Sequence, residues 1–396
     1  MKPIRIAMIL PGLGRVQRGA ETAFLEVAHG LNQYPDIDIH LFGSNTFVPD
    51  GLKISAIECT PREKFENWPK IPALRSECHY EELSYVERLW RSSLFRSRNF
   101  DVTISCTYPW VHWLLRLAKR RNKALKNIFV TQNGDWMCRS RHREYRFFKT
   151  DGLVTINPDY YDSNYKRHNA VLIPNGTDPE IFFPRNQVKG DDPLDIELKV
   201  PEGKKVVLMV SAMIESKRVA EGLQAAAKVD DAFFVVAGDG PERENISKLA
   251  EELMPGRYQL LGSIQREQMP ALFRRADVFL HMSQIEPFGI VYLEAAASGL
   301  PIVTHDGDTP RWILGETALF ADSNHLELVA DAIRQAFEPE TAEVLGKAAR
   351  QRVIEDWTWR AQAAKYRQFI YSVLDRPVPG EGGDDAFDCD RKLQHS

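Results

Sequence analysis

An α/β fold of two domains, each a parallel sheet with helices on both faces, is what this sequence predicts, and three features predict it. Short apolar runs alternate with stretches of helical period along most of the chain. The alternation breaks once, where Pro179, Pro184, Gly190, Pro193, Pro201 and Gly203 mark a linker. The length of 396 residues exceeds one ordinary core and fits two domains of roughly 150 to 200 residues. The expected boundaries are 1–180 and 181–356, with a last helix at about 357–375 returning to the first domain and a disordered tail over 378–396.

In the first domain, strands are expected at Ile4 to Leu10, Ile37 to Phe42, Lys53 to Ile57, Val102 to Cys106, Asn127 to Thr131 and Gly152 to Ile156. Helices are expected at Ala20 to Asn32, Tyr80 to Phe95, Trp110 to Arg121 and Pro158 to His168. Phe47 to Pro72 holds several prolines without clear periodicity and reads as a long loop around its one short strand. Gly12, Gly14 and Gly19 follow the first strand but form no G-x-G-x-x-G, so the dinucleotide fingerprint is missing. The second domain alternates more cleanly: strand Lys205 to Ala212, helix Lys217 to Val229, strand Phe233 to Gly238, helix Arg243 to Leu253, strand Tyr258 to Leu261 and helix Glu267 to Arg275.

The most informative stretch follows, DVFLHMSQIEPFGIVYLEAAASGLPIVTH from Asp277 to His305. A strand at Val278 to His281 leads through a polar turn into a helix that ends at Gly299, before a strand at Pro301 to Thr304. Glu286 precedes the turn Pro287-Phe288-Gly289, and Glu294 lies about two helical turns further on. Between them, the amides of Phe288, Gly289 and Ile290 stand where a helix start leaves N–H groups unpaired, and Gly289 lets a ligand approach the backbone. Such a site suits a diphosphate on the amides and hydroxyl groups on the two carboxylates.

The form EPFGIVYLEAAASGLP resembles the donor-site motif of retaining glycosyltransferases of the GT-B fold, family 4 (glycosyl transferases group 1). The resemblance covers roughly residues 3 to 372 and implies two Rossmann-like domains facing a central cleft. It implies a nucleotide diphosphate sugar, UDP- or GDP-linked, as donor, with Glu286 on the sugar and Glu294 on the ribose. RGAE, Arg18 to Glu21, resembles the loop that closes over donor and acceptor, which brings in Gly14, Gly19 and Glu21; Arg18 stands where a glycine is usual. VSAMIESKR resembles a segment whose arginine and lysine bind the diphosphate. Lys217 matches the lysine, Ala212 occupies the arginine position, and Arg218 replaces a glycine. The turn at Gly238 and the segment LGSI ending at Ile264 take the places that adjoin nucleotide and base. HDGDTPR, His305 to Arg311, resembles a variable loop, and DWTWRAQAAKYRQF, Asp356 to Phe369, the family's closing helix.

In TQNGDW, Gln132 or Asn133 stands where many members have a histidine near acceptor and sugar. An amide bonds hydroxyls but does not titrate near neutral pH. Asp135 is the nearest group able to move a proton, with substrate binding or an N-cap as the other readings. The resemblance implies no metal and no cofactor beyond the donor, and the pair Asp191-Asp192 in the linker reads as solvated. The acceptor is a carbohydrate, lipid-linked or small molecule.

Composition narrows the class. With 43% hydrophobic and 27% charged residues the chain reads as a soluble globular protein, and no run of about 18 apolar residues is present. The N-terminus lacks the apolar core of a signal peptide. Five widely spaced cysteines without a C-x-x-C pair argue against a zinc site or disulfide framework and suit the cytoplasm. From Arg88 to Lys149 there are 15 Lys and Arg against 3 Asp and Glu, interleaved with Trp90, Trp110, Trp113 and Trp136. This basic stretch, 88–149, fits solvated helix faces, peripheral contact with anionic lipid, or an anionic acceptor. Nucleic acid is disfavoured, because the net charge is -4 and no recognition motif is present. A sugar phosphorylase, a nucleotide-sugar epimerase, or a catalytically silent subunit of a polysaccharide assembly complex are the alternatives on the same fold.

Overall fold

The structure, a computed structural model, describes residues 2–15, 18–45, 51–92, 95, 100–134, 143–189 and 197–380. Asp135, the pair Asp191-Asp192 and the tail from residue 381 on lie outside them. The chain divides into two compact units, Met1–Asn175 with Trp359–Ser396, and Gly176–Thr358.

The first unit is built on seven parallel strands: β1 (Ile4–Ile9), β2 (Ile37–Gly43), β3 (Lys53–Ala56), β4 (Val102–Ser105), β5 (Lys126–Val130), β6 (Gly152–Thr155) and β7 (Ala170–Leu172). Their order is β3-β2-β1-β4-β5-β6-β7. Central strands such as β4 and β6 are buried at every position, as strands covered on both faces must be. The helices are α1 (Gly19–Asn32), α2 (Glu77–Arg91), α3 (Trp110–Arg121) and α4 (Pro158–Asn164). Of the stretch expected as a long loop, residues 51–72 carry β3 and a 3-10 turn, Arg62–Phe65, that buries Phe65.

The second unit has six parallel strands in the order β10-β9-β8-β11-β12-β13. They are β8 (Lys205–Val210), β9 (Ala232–Ala237), β10 (Tyr258–Gly262), β11 (Val278–His281), β12 (Ile302–His305) and β13 (Leu319–Ala321). Helices α5 (Val219–Ala227), α6 (Arg243–Leu253), α7 (Met269–Arg275), α8 (Ile290–Ala297), α9 (Asp308–Leu314), α10 (Leu326–Phe337) and α11 (Pro339–Asp356) accompany them. The segment expected as a variable loop, His305 to Arg311, is only partly so: Asp308 already begins α9. The helix expected from Asp356 also differs. α11 stops at Asp356, and a separate helix α12 (Trp359–Val373) starts after a short break and belongs to the first unit.

α12 lies so close to α1 that a Cβ on Gly30 would sit 2.6 Å from that of Ala363. Its polar anchor is Asp36, whose Oδ2 accepts from Tyr371 Oη at 2.6 Å and Arg367 Nε at 3.1 Å. Burial works to raise the Asp36 carboxyl, but these two donors win and hold it below the usual carboxylate range. A depressed folded pKa contributes stability that is present above the unfolded value of about 3.9 and lost as pH falls through the folded value. Asp36→Asn should therefore cost about 1–2 kcal/mol at neutral pH. Urea unfolding from pH 7 to pH 2 should show the gap between native chain and variant closing below about pH 4.

Both sheets reverse direction of strand order once. Ile6 of β1 pairs with Val102 of β4, and Phe279 of β11 pairs with Leu208 of β8, although long stretches of chain separate the partners. At such a switch point the loops leaving the carboxyl ends of the two central strands diverge and open a crevice, the place where parallel sheets bind ligands.

Candidate active site

At the switch point of the second unit, the loop after β8 brings Lys217 and the loop after β11 brings Glu286. Lys217 Nζ donates to Glu286 Oε2 at 2.5 Å. His281, the last residue of β11, places Nε2 3.4 Å from the same oxygen. Burial alone would raise the Glu286 carboxyl; His281 and Lys217 together overcome it and hold it at about 2. Glu286 is therefore ionised throughout the neutral range. Both contacts fall on Oε2, and Oε1 has no protein partner among the described residues. His281 is in turn buried and stacked on Tyr292, with ring centroids 4.7 Å apart.

The turn after Glu286 leads into α8. Gly289 has φ +80, a conformation in which a side chain is strained, and a Cβ there would lie 2.8 Å from Tyr292 and 3.1 Å from Glu286. The amides of Phe288, Gly289 and Ile290 donate to no backbone carbonyl among the described residues, as expected at a helix start. The ring of Phe288 serves packing: it is buried against Trp312 and Trp357. Glu294, inside α8, is buried and its Oε1 accepts from Arg266 Nη1 at 3.2 Å. Ile264 lies half-buried two residues before that arginine. At Gly238, with φ +143, a Cβ would come within 1.9 Å of Ser211 O, so only glycine permits the approach of the β9 turn to the β8 loop.

The loop after β8 departs from the continuous helix expected over Lys217 to Val229. A 3-10 turn, Glu215–Lys217, ends at Arg218, and α5 begins at Val219. Arg218 has φ 55 and ψ 41, the left-handed region, which accounts for the glycine usual at this position. Arg218 is held there by hydrogen bonds to Ser323 O at 3.0 Å and Asn324 Oδ1 at 3.1 Å. Ala212, at the position of the expected arginine, is exposed.

In the first unit, Glu21 is buried at the start of α1 and accepts both nitrogens of the Arg18 fork, at 2.7 and 3.2 Å. Gly19 opens α1, and Gly14 has φ +78 in the loop after β1. Gln132 Nε2 donates to Asn175 Oδ1 at 2.5 Å, and Asn133 Nδ2 donates to Cys106 O at 3.3 Å. The second unit thus brings together Lys217, Glu286, Phe288, Gly289, Ile290, Glu294, Gly238 and Ile264. Glu21, Gly14, Gly19, Gln132 and Asn133 belong to the first. Sequence reasoning missed His281 and Arg266. His281 had a signal in its place at the end of a strand before the polar turn, whereas Arg266 in an exposed-looking turn had none.

A family model described as glycosyl transferases group 1 matches residues 192–352, which hold Lys217, His281, Glu286 and Glu294. The second unit is a glycosyl transferases group 1 domain. N-acetyl-alpha-D-glucosaminyl L-malate synthase of Bacillus anthracis is 31% identical over 207 residues, 50% of this chain and 53% of its own. A GDP-mannose-dependent alpha-(1-6)-phosphatidylinositol monomannoside mannosyltransferase of Mycobacterium tuberculosis is 31% identical over 154 residues, 36% of this chain and 40% of its own. The chain thus spans about half the length of the curated relatives it matches. The fold extends further than the sequence likeness. Sucrose-phosphate synthase of Thermosynechococcus elongatus superposes with a TM-score of 0.74 at 20% identity, over 94% of this chain and 99% of that one. Anabaena HepE, solved with UDP and glucose, superposes with a TM-score of 0.70 at 13% identity, over 93% and 100%. The fold class is GT-B, two α/β units each on a parallel sheet.

The left-handed Arg218 of this glycosyl transferases group 1 domain is open to a direct check. Arg218→Ala keeps the conformational cost and loses the side-chain bonds, while Arg218→Gly loses the same bonds but removes the cost. The glycine variant should be the more stable of the two by about 1 kcal/mol in urea unfolding. Equal stability, or a less stable glycine variant, would contradict the account.

Proposed function

We propose that the protein is a retaining, metal-independent glycosyltransferase that moves a hexosyl group from a UDP- or GDP-sugar to an acceptor hydroxyl in glycan, glycolipid or glycoconjugate biosynthesis. The observation that carries the reading is the Lys217–Glu286 pair beside the open start of α8, at a switch point. The names of similar proteins support it, one being GDP-mannose-dependent and another a structure with UDP and glucose.

The chemistry follows from where charge develops. As the bond from the anomeric carbon to the diphosphate breaks, negative charge grows on the leaving group and positive charge on the sugar ring. Fixed amides at a helix start and the Lys217 ammonium stabilise the first without reorganising during the reaction. Glu286, fully ionised, accepts sugar hydroxyls on Oε1 while Lys217 and His281 hold Oε2, so the sugar meets an oriented acceptor of hydrogen bonds. Glu294, oriented by Arg266, takes the ribose hydroxyls. Attack on the same face as departure, with the leaving phosphate accepting the acceptor's proton, needs no titrating group at Gln132 or Asn133. Asp135, the group suggested above for proton transfer, lies outside the described residues. No cluster of three metal-ligating side chains is found among the described residues, and the diphosphate charge is assigned here to Lys217 and the amides. No described helix is long and apolar enough to cross a membrane, so contact with lipid, if the acceptor is lipid-linked, is peripheral in this reading.

Two substitutions separate binding from turnover. Lys217→Ala should lower kcat about 100-fold or more with a smaller change in donor KM. Glu294→Ala should weaken donor binding about tenfold or more. Release of free nucleoside diphosphate should require an acceptor. A chain that binds none of UDP, GDP, ADP or their sugars in a thermal-shift screen would overturn the proposal and favour a silent subunit.

A further inference from the structure

Much of the basic excess between Arg88 and Lys149 is gathered on one surface of the first unit, built around α3. Along one flank of that helix runs the segment 145–151. Phe148 stacks on His112 with ring centroids 4.7 Å apart, the carbonyl of Phe147 accepts from Arg116, and Asp151 pairs with Lys119. Positions 112, 116 and 119 stand on successive turns, so the segment follows the helix along its length. On the other flank α2 packs against α3, and the Arg121 guanidinium lies 4.4 Å from the centre of the Trp90 ring.

The side this surface turns outward is both apolar and cationic. Trp110, Trp113, Leu117 and Arg120 recur at i, i+3, i+7 and i+10, a single stripe of α3, while Val111, His112, Leu114 and Leu115 are buried. Leu117 is 42% exposed, and Phe147, next to the inward-turned Phe148, is 62% exposed. Charge surrounds both. Arg120, Arg121 and Lys123 stand exposed at the end of α3, and Arg143, Arg146 and Lys149 on either side of Phe147. None of these six pairs with a carboxylate among the described residues, whereas Arg88, Arg91, Lys119 and Lys126 each do. On a chain of net charge -4 this is a local field of opposite sign to the whole.

We infer that this face of the first unit docks on an anionic phospholipid bilayer, with Leu117 and Phe147 entering the headgroup layer and the six basic side chains meeting lipid phosphates. Apolar side chains ringed by Lys and Arg suit an interface that is apolar on one side and anionic on the other. Either signal alone gives weak, reversible attachment, and the two together give a stable one. A single-stranded nucleic acid would meet the same charges and stack on Phe147, but it would leave the aliphatic Leu117 in water. Neither the exposure nor the charge depends on the transferase reading.

Vesicle flotation of the full chain tests this. The probes are phosphatidylcholine vesicles with and without an equal part of phosphatidylglycerol. The native chain should bind the anionic vesicles about tenfold or more tightly, a preference that should shrink as salt is raised. Arg120→Gln combined with Arg146→Gln should weaken anionic binding about tenfold. Lys248→Gln combined with Lys347→Gln removes the same net charge from the second unit, where each lysine pairs within its own helix, and should leave binding unchanged. Leu117→Ser combined with Phe147→Ser should weaken binding about tenfold as well, at high salt as at low. All six substituted side chains are exposed, and unchanged thermal melting will show that the variants are folded. No preference for anionic vesicles, equal loss in the two charge-matched pairs, or full binding by the serine pair overturns the inference. So does a single-stranded oligonucleotide that displaces the vesicles and binds the serine pair as tightly as the native chain, which would assign the face to nucleic acid.

Discussion

A carboxylate that must stay charged in a largely buried place is the constraint around which the second unit is arranged. Glu286 would be driven towards its neutral form by burial, and it remains ionised only because Lys217 and His281 converge on one of its oxygens. Each partner comes from a different element. Lys217 depends on the 3-10 turn after β8, and His281 on the last position of β11, so the pairing of β8 with β11 fixes the geometry. Gly289 and Tyr292 complete the turn, and no side chain fits at Gly289 without meeting both Tyr292 and Glu286. The helix start that would hold a diphosphate is thus placed by the same turn that presents the carboxylate.

The two units repeat one topological solution with different chemistry. Each has a single reversal of strand order, and each opens its polar residues at the carboxyl ends of the two strands that flank it. In the second unit the residues there are few and tightly paired. In the first they form an open cavity lined by three arginines, Arg18, Arg62 and Arg75, and three glutamates, Glu21, Glu81 and Glu82.

Much of this was legible in the sequence, and what escaped it has physical causes. Strands such as Ala232–Ala237 are continuous apolar runs, so most strands and their parallel pairing followed from composition and spacing, while the three-residue edge strands Ala170–Leu172 and Leu319–Ala321 are too short to carry that signal. The Glu286-to-Glu294 turn was legible because glycine, proline and two carboxylates stand at fixed offsets in one short segment. The break at Arg218 was not, because the left-handed region is set by bonds to Ser323 and Asn324, about a hundred residues away. The partnership of Arg266 with Glu294 escaped for the same reason, since it joins two elements distant in sequence. α10 and α11 lie between the donor motif and the closing helix, and α10 carries a strong apolar stripe with Val329, Ala330, Ile333 and Ala336 buried. Asp135 lies outside the described residues, and the role suggested for it rests on sequence position alone.

The central claim is that Glu286 serves the sugar and not the nucleotide. The measurement that tests it most directly is calorimetric titration of the native chain and Glu286→Gln with the responding nucleoside diphosphate and with its hexose conjugate. The account predicts that the variant keeps its affinity for the free diphosphate within a few-fold while losing the additional affinity of the sugar, about tenfold or more. Equal loss for both ligands, or no loss for either, would contradict it.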